Sequence, residues 1–298
     1  MSKAVSYALW AAVFFGMSAP FSKMLLNYLD PIFLAGVFYL GSGIGLTLYK
    51  GIRRMVGRAP RLGNPLHGIQ WRWMAGSVVT GGIVAPILLL IGLQRVTAAA
   101  GALLLNFEGV FTALLAWLMF REVFRLQVLF GLLAIVTGGV ILAWIPEQLM
   151  SWSWKSLAIA GASLAWAIDN NCTRRISEAD AIQIVEVKGW VAGVVNILLG
   201  YWCTGRGGGF VAMTLAGLLG FISGGLCMIL LVKAFRELGA ARTGAYFSTS
   251  PFIGAGMSIL VLHDPTSKRF CIAAVCMAFG VWLNSLDDGK IRSDSPAG

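Results

Sequence analysis

Charge is what this sequence has least of. Only 12% of its 298 residues are Asp, Glu, Lys or Arg, against 58% hydrophobic ones, and the mean hydropathy is +0.79. A soluble domain carries about 25% charged residues, so a water-exposed globule is excluded and an integral membrane protein is indicated. Histidine is nearly missing too. His67 and His263 both fall in connecting stretches, which leaves no HExxH pair for zinc and no Ser and His couple for nucleophilic catalysis. Gly207 to Gly209 is glycine-rich but lacks the Lys and Ser or Thr of a phosphate loop. Nothing points to a nucleotide, metal or other cofactor, and the chain reads as a non-enzyme. The five cysteines, Cys172, Cys203, Cys227, Cys271 and Cys276, are odd in number and show no CxxC spacing. They read as packing residues.

What the sequence has in abundance is apolar runs of about 20 residues, the length of a spanning helix rather than of a barrel strand. Ten are legible, at roughly 4–22, 31–49, 73–93, 98–120, 127–145, 155–173, 181–202, 210–232, 240–262 and 268–286. The fold class expected is all-α, integral to the membrane. A net charge of +10 raises the question of nucleic acid, but the distribution of the cations answers it. With the N-terminus cytoplasmic, 16 of the 23 Lys and Arg residues fall inside and 6 outside, leaving Lys188 within a helix. That bias sets topology, with both termini cytoplasmic, and no nucleic acid is implied. The first span has a counterpart later in the chain, so it is expected to be retained rather than cleaved as a leader. The basic connector from Lys50 to Arg72 reads as solvated. Eight tryptophans, Trp10, Trp71, Trp73, Trp144, Trp152, Trp154, Trp202 and Trp282, cluster near span ends.

A stripe of small and polar side chains occurs twice. Ala102, Asn106, Gly109, Ala113 and Ala116 share one face of the fourth span; 142 positions later (106 to 248), Gly244, Ser248, Pro251, Ala255 and Ser258 share one face of the ninth. Such a face meets another helix or a wet space, because a lipid-facing one would carry Leu, Ile and Phe. A second correspondence, 151 apart, sets Phe15, Gly16, Ser18, Pro20, Ser22 and Lys23 of the first span on Trp166, Ala167, Asp169, Asn171, Thr173 and Arg174 of the sixth. The chain therefore divides into repeats 1–147 and 148–287, followed by a polar tail at 288–298 that is expected to be disordered. Five crossings per copy turn the second upside down, which gives two inverted five-helix repeats around a substrate path. Ser77, Thr80 and Gly81 in the third span, echoed by Gly220, Ser223 and Gly224 in the eighth, either face that path or satisfy backbone carbonyls. Gly41, Gly43 and Gly45 in the second span, and Gly189 and Gly193 in the seventh, read as close helix packing. Spans five and ten are apolar nearly all round, Asn284 apart, and are expected at the periphery against lipid or a second subunit.

Ionisable groups inside spans are costly and hence functional candidates. They are Glu108, Asp169, Glu186 and Lys188, joined by Asn106, Asn170, Asn171 and Asn196. Asp169 shares a face with Trp166 and Thr173. It either forms a pocket for an amphipathic solute or pairs with Arg174 or Arg175. Asn106 and Glu108 lie about 200 degrees apart on a helix and cannot both face the path; Asn106 is preferred, with Glu108 turned into packing toward a cation such as Lys188. Glu186 and Lys188 read as structural, the lysine snorkelling outward. Pro251 and its counterpart Gly109 fall in mid-span and are expected to make a kink or hinge for gating.

On the aromatic-small start and closing cation of spans one and six, the small stripes of four and nine, and the acidic residues Glu122 and Asp264 beyond them, the chain resembles the drug/metabolite transporter superfamily. The resemblance is to its ten-helix, EamA-like branch, and within that most to bacterial aromatic amino-acid exporters. Gly109 stands where relatives often have proline, and Asp264 where they have Glu. The resemblance implies a secondary transporter of the bacterial cytoplasmic (inner) membrane, a monomer or weak homodimer, exporting amino acids by alternating access. It implies no cofactor and no partner beyond the solute and the lipid bilayer. The small pumps of the superfamily carry a first-helix glutamate that this chain lacks, which favours neutral or zwitterionic solutes. Phe15, Trp166 and Phe107 would then meet the apolar part of the solute, and Asn106, Ser248, Ser18, Asp169 and Asn170 its amino and carboxyl groups. The alternatives are a multidrug or other metabolite exporter and, in another class, a membrane-bound enzyme or receptor-like binding module.

Overall fold

The computed structural model describes residues 3–57, 64–94, 96–120, 126–143, 154–176, 178–205, 207–238 and 240–287. Glu122, Trp144, Trp152, the side chains of Ala116 and Trp154, and the 288–298 tail lie outside the described residues. Among those described there is no strand, only an isolated bridge between Asn64 and Ala179.

The helices run as rods, several broken within. α1 (Lys3–Gly16) continues past Met17 into α2 (Ser18–Leu25), and α3 is Pro31–Met55. α4 (Gln70–Ser77) and α5 (Ala85–Leu93) are joined by a π-helical segment, Val78–Val84. α6 (Ala98–Leu104) and α7 (Phe107–Phe120) form one broken rod, followed by α8 (Leu126–Ala143), α9 (Trp154–Arg174) and α10 (Ala181–Thr204). α11 (Phe210–Gly220) and α12 (Cys227–Leu238) flank a second π segment, Phe221–Leu226. α13 (Ala240–Phe247) and α14 (Ser250–Leu262) form another broken rod, and α15 is Lys268–Asp287. Among the described residues, six stretches are long and apolar enough to cross a membrane: Lys3–Leu25, Pro31–Met55, Gln70–Leu93, Ala98–Leu115, Ala181–Thr204 and Phe210–Ala234.

Local chemistry starts the helices where the sequence dictates. Asp30 caps α3 by accepting from the Ile32 N–H at 2.9 Å, with Pro31 in the first turn where no N–H is required. The same device recurs 150 residues on (30 to 180), where Asp180 accepts from the Ile182 N–H at 2.9 Å and opens α10. α3 and α10 then pack along their length, because both present glycine at the seam. A Cβ on Gly189 would lie 2.6 Å from the Gly43 Cα, so neither helix can come this close with any other residue there. The buried core between rods is Leu, Ile, Phe and Ala, while Leu48, Ile52, Leu198, Trp202, Phe210 and Val275 are exposed on the outside. That reversal is what a bilayer solvent selects.

Two expectations change here. The connector from Lys50 to Arg72 is not wholly solvated: the Asp180 N–H donates to the Asn64 carbonyl at 2.7 Å, and Leu66 is buried against Ile176, Ala179 and Ile184. α8 and α15, the fifth and tenth spans, pack against one another, and their outer faces are exposed at Leu129, Phe130, Leu133 and Phe279. Their inner faces nevertheless reach the central cavity with Val128, Leu132, Val281 and Asn284, so neither is purely peripheral.

Candidate functional site

Two helix breaks shape a cavity of about 920 Å³ at the centre of the bundle. Between α6 and α7 the chain leaves the helix at Leu105 and Asn106, where Asn106 Nδ2 donates to the Leu103 carbonyl at 2.9 Å. Asparagine competes for the backbone in this way, and so sits poorly inside helices. Between α13 and α14 the break falls at Ser248 and Thr249, and Pro251 lies in the first turn of α14. Proline has no N–H to give to an earlier turn, so the helix restarts around it. The interruption expected at Pro251 falls just ahead of it, while the one expected at Gly109 falls at Leu105 and Asn106 instead. Pro251 belongs to a helix start, Gly109 lies within α7 after the break, and a Cβ on Gly109 would meet nothing within 4 Å.

The break also overturns the argument that Asn106 and Glu108 exclude one another. A rotation of 100 degrees per residue holds only within a continuous helix, and both residues line the cavity. Asn106 is mostly buried behind that wall at 7% exposure, while Glu108 stands in the first turn of α7 and accepts from Asn170 Nδ2 at 2.7 Å. Glu108 does not reach Lys188 as an ion pair. Lys188 turns inward instead of snorkelling and donates to both carboxylate oxygens of Asp169 at 2.8 Å each. Asp169 also accepts from Ser77 Oγ and, at 3.1 Å, from Thr173 Oγ1. Glu186 faces elsewhere, taking Lys50 and, at 2.8 Å, Thr47 Oγ1.

Behind this cluster the first π segment runs into Pro86, which has no N–H to return to Gly82 or, across a π turn, to Gly81, so those carbonyls are left for side chains. Gly81 O accepts from Tyr39 Oη at 2.5 Å and Trp166 Nε1 at 3.1 Å, and Gly82 O accepts from Asn196 Nδ2 at 2.9 Å. In a bilayer interior a carbonyl released from its ladder must find such donors. The glycines are required for contact as well: a Cβ on Gly81 would lie 1.9 Å from Asp169 Oδ2.

Phe15, Ser18, Asn106, Gly109, Trp166, Asp169, Asn170, Ser248 and Pro251 are all brought to the cavity wall. Phe15 packs on Phe247 with ring centroids 5.4 Å apart. Trp166 spends its N–H on Gly81, leaving a ring face. Phe107 is turned away, stacked on Phe111 at 5.9 Å and lying over Gly139. Sequence reasoning missed the wall positions of Glu108, Lys188, Tyr39, Ser42 and Arg174. The Ser42 Oγ and Asn284 Oδ1 atoms are buried in helix seams, against Gly224 and Gly131, without a hydrogen-bond partner among the described residues.

Two side chains hold the backbone where α5 gives way to α6. Lys23 Nζ donates to the Leu93 carbonyl and, at 2.9 Å, to that of Val96. Asp264 Oδ2 accepts from the Ala99 N–H at 2.9 Å, on the opening turn of α6. The cavity wall itself includes Val128, Arg174, Gly244 and Asn284. Among the described residues no group of three or more His, Cys, Asp or Glu is placed to hold a metal ion, and the cysteines are free.

The model of the EamA-like transporter family matches residues 2–144 and again residues 153–286. An uncharacterized transporter of Methanothermobacter thermautotrophicus is 29% identical over 288 residues, covering 92% of this chain and 83% of that one. A solved crystal structure 14% identical in sequence superposes with a TM-score of 0.68 over 99% of both chains. At that identity the likeness is one of fold.

Proposed function

The chain belongs to the EamA-like transporter family, and from that premise we propose that it exports amino acids with aromatic or other apolar side chains across the cytoplasmic membrane by alternating access. Ten crossings form two upside-down halves, 1–147 and 148–287, with both termini cytoplasmic. This arrangement is supported by the paired family matches, by helix breaks at Asn106 and Ser248, and by π segments at Val78–Val84 and Phe221–Leu226. Discontinuous helices meeting at the midplane are how many transporters present backbone and dipoles to a solute.

The observation that carries the reading is the cavity. Its 920 Å³ lies within the range of small-molecule sites, and its wall is mostly apolar, with a few convergent groups of both signs. Phe15, Phe247 and Trp166 offer ring faces to an apolar side chain. Asn106, Ser248, Ser18, Asn170 and the Asp169–Lys188 pair offer hydrogen bonds and charge to the two ends of a zwitterion. The same apolar wall also suits a bulky cationic drug, which is the second reading. Counterflow in proteoliposomes tests them together: labelled phenylalanine and methionine are expected to exchange, and a cationic dye is not. Exchange of the dye alone defeats the amino-acid assignment in favour of a multidrug exporter. Chemical turnover or ligand binding without flux points to an enzyme or receptor instead.

A further inference from the structure

Ser250 is buried, at 2% exposure, yet it lines the cavity and its hydroxyl makes no hydrogen bond among the described residues. Unlike the Ser42 Oγ, its oxygen is not sealed into a seam. It opens α14, a helix of 13 residues with no acidic residue in its first turn. The polar groups around it are already spent. Thr249 gives its Oγ1 and its N–H to the Tyr246 carbonyl, at 2.6 and 3.3 Å, and Phe252 and Ile253 turn their N–H groups to the Thr249 carbonyl at 3.1 and 3.0 Å. A buried hydroxyl that donates to nothing is costly, and at a cavity wall it calls for an acceptor from outside the chain.

The duplication shows what kind of acceptor. The residue 142 positions earlier (250 to 108) is Glu108, which stands in the first turn of α7 and accepts from Asn170 Nδ2 at 2.7 Å. Asn170 in turn corresponds, 151 positions earlier (170 to 19), to Ala19, so Ser250 has neither the charge of Glu108 nor its partner. One of two corresponding helix starts thus brings a carboxylate of its own. The other offers a hydroxyl and the positive end of a helix, which favours negative charge, and holds no anion. The cations of the wall lie elsewhere: Lys188 is engaged by both oxygens of Asp169, and Arg174 stands in the last turn of α9, about 12 Å along the helix from Trp166.

Building on the export reading, we infer that Ser250, at the start of α14, receives the carboxylate of the amino acid. Ser250 Oγ donates to a carboxylate oxygen, and the positive end of α14 answers its charge. Phe247, three residues back, packs on Phe15 and lines the same cavity. Three residues rise about 4.5 Å, and an aromatic amino acid holds its carboxylate a similar distance from its ring. A carboxylate at Ser250 therefore sets an aromatic side chain beside Phe15 and Phe247. A solute without a carboxylate gains nothing at this position, which separates an amino acid from a cationic drug.

The test compares phenylalanine with 2-phenylethylamine, which keeps the ring and the ammonium and lacks the carboxylate. Ligand-dependent melting of the full-length protein in detergent reads binding of each without requiring flux, and counterflow of labelled phenylalanine in proteoliposomes reads export. Wild type is expected to respond to phenylalanine at a concentration about tenfold or more below that needed of phenylethylamine. Ser250→Ala is expected to need about tenfold more phenylalanine, with its phenylethylamine response within about twofold of wild type. Ser250→Asp, a favourable residue in the first turn of a helix, puts a carboxylate where that of the solute would lie and is expected to reverse the preference. An unchanged preference in Ser250→Ala overturns the subsite, as does an equal loss of both ligands or a wild-type phenylalanine response in Ser250→Asp. Wild-type protein that exports phenylalanine but binds phenylethylamine as tightly also overturns it and leaves export standing. Wild-type protein without phenylalanine counterflow defeats the export reading, and the subsite falls with it.

Discussion

At the scale of single residues, the Asp169–Lys188 pair makes the firmest prediction. Both side chains are largely buried, at 9% and 13% exposure, and removing one partner of a buried pair leaves the other charge stranded, at a cost of about 3–5 kcal/mol. Lys188→Met is therefore expected to lower the melting temperature in detergent sharply. The double variant Lys188→Met with Asp169→Asn is expected to recover most of that loss, and a double variant as unstable as the single one would contradict the pairing. Trp166→Phe keeps the ring and removes the donor to Gly81, leaving that carbonyl to Tyr39 alone; a smaller loss of about 1 kcal/mol follows. Sequence alone marked Asp169, Lys188 and Glu108 as residues that must find partners, since ionisable groups inside a span demand them. It did not say which. The pairing depends on how α10 is docked, and that is fixed by the contact of Gly43 with Gly189, which no spacing argument about Lys188 contains.

Helices and their interruptions were partly readable in advance. The duplicated stripes pointed to two of the rods that break, and the echo of Ser77, Thr80 and Gly81 by Gly220, Ser223 and Gly224 fell on the two π segments and the residue just before each. The positions of the breaks were not readable, because an unbroken 3.6-residue period was assumed through Asn106. That assumption turned Glu108 away from the path, and the correspondence with Pro251 placed a hinge at Gly109. Two glycine substitutions now separate packing from space. Gly189→Ala puts a methyl group 2.6 Å from the Gly43 Cα, and overpacking of this kind costs about 1–3 kcal/mol or more. Gly109→Ala meets nothing within 4 Å and removes a poor helix former, so it is expected to be neutral or stabilising by up to about 1 kcal/mol. Thermal melts of the two variants check the pair, and a reversed order would contradict the seams described.

Over the whole molecule, the proposed inversion places corresponding loops on opposite sides of the bilayer. A single cysteine replacing Arg54, after α3, is expected to react with a membrane-impermeant maleimide only from the cytoplasm. One replacing Thr204, at the end of α10, is expected to react only from outside, in a background lacking the native cysteines. Labelling of both from the same side would sink the inverted arrangement. Apolar run lengths and cation bias made the membrane class and the rod-like architecture plain, because a bilayer constrains helix length and flanking charge directly. The inner faces of α8 and α15 escaped notice because a cavity with largely apolar walls leaves no polar mark on the helices that line it. The grip of Lys23 and Asp264 on the joint between α5 and α6 holds main-chain atoms of Leu93, Val96 and Ala99 rather than their side chains. Such a lock is indifferent to what grows from those three positions: drift there leaves the bolt in place, and only a change in the two reaching residues, or in the course of the backbone itself, can release it.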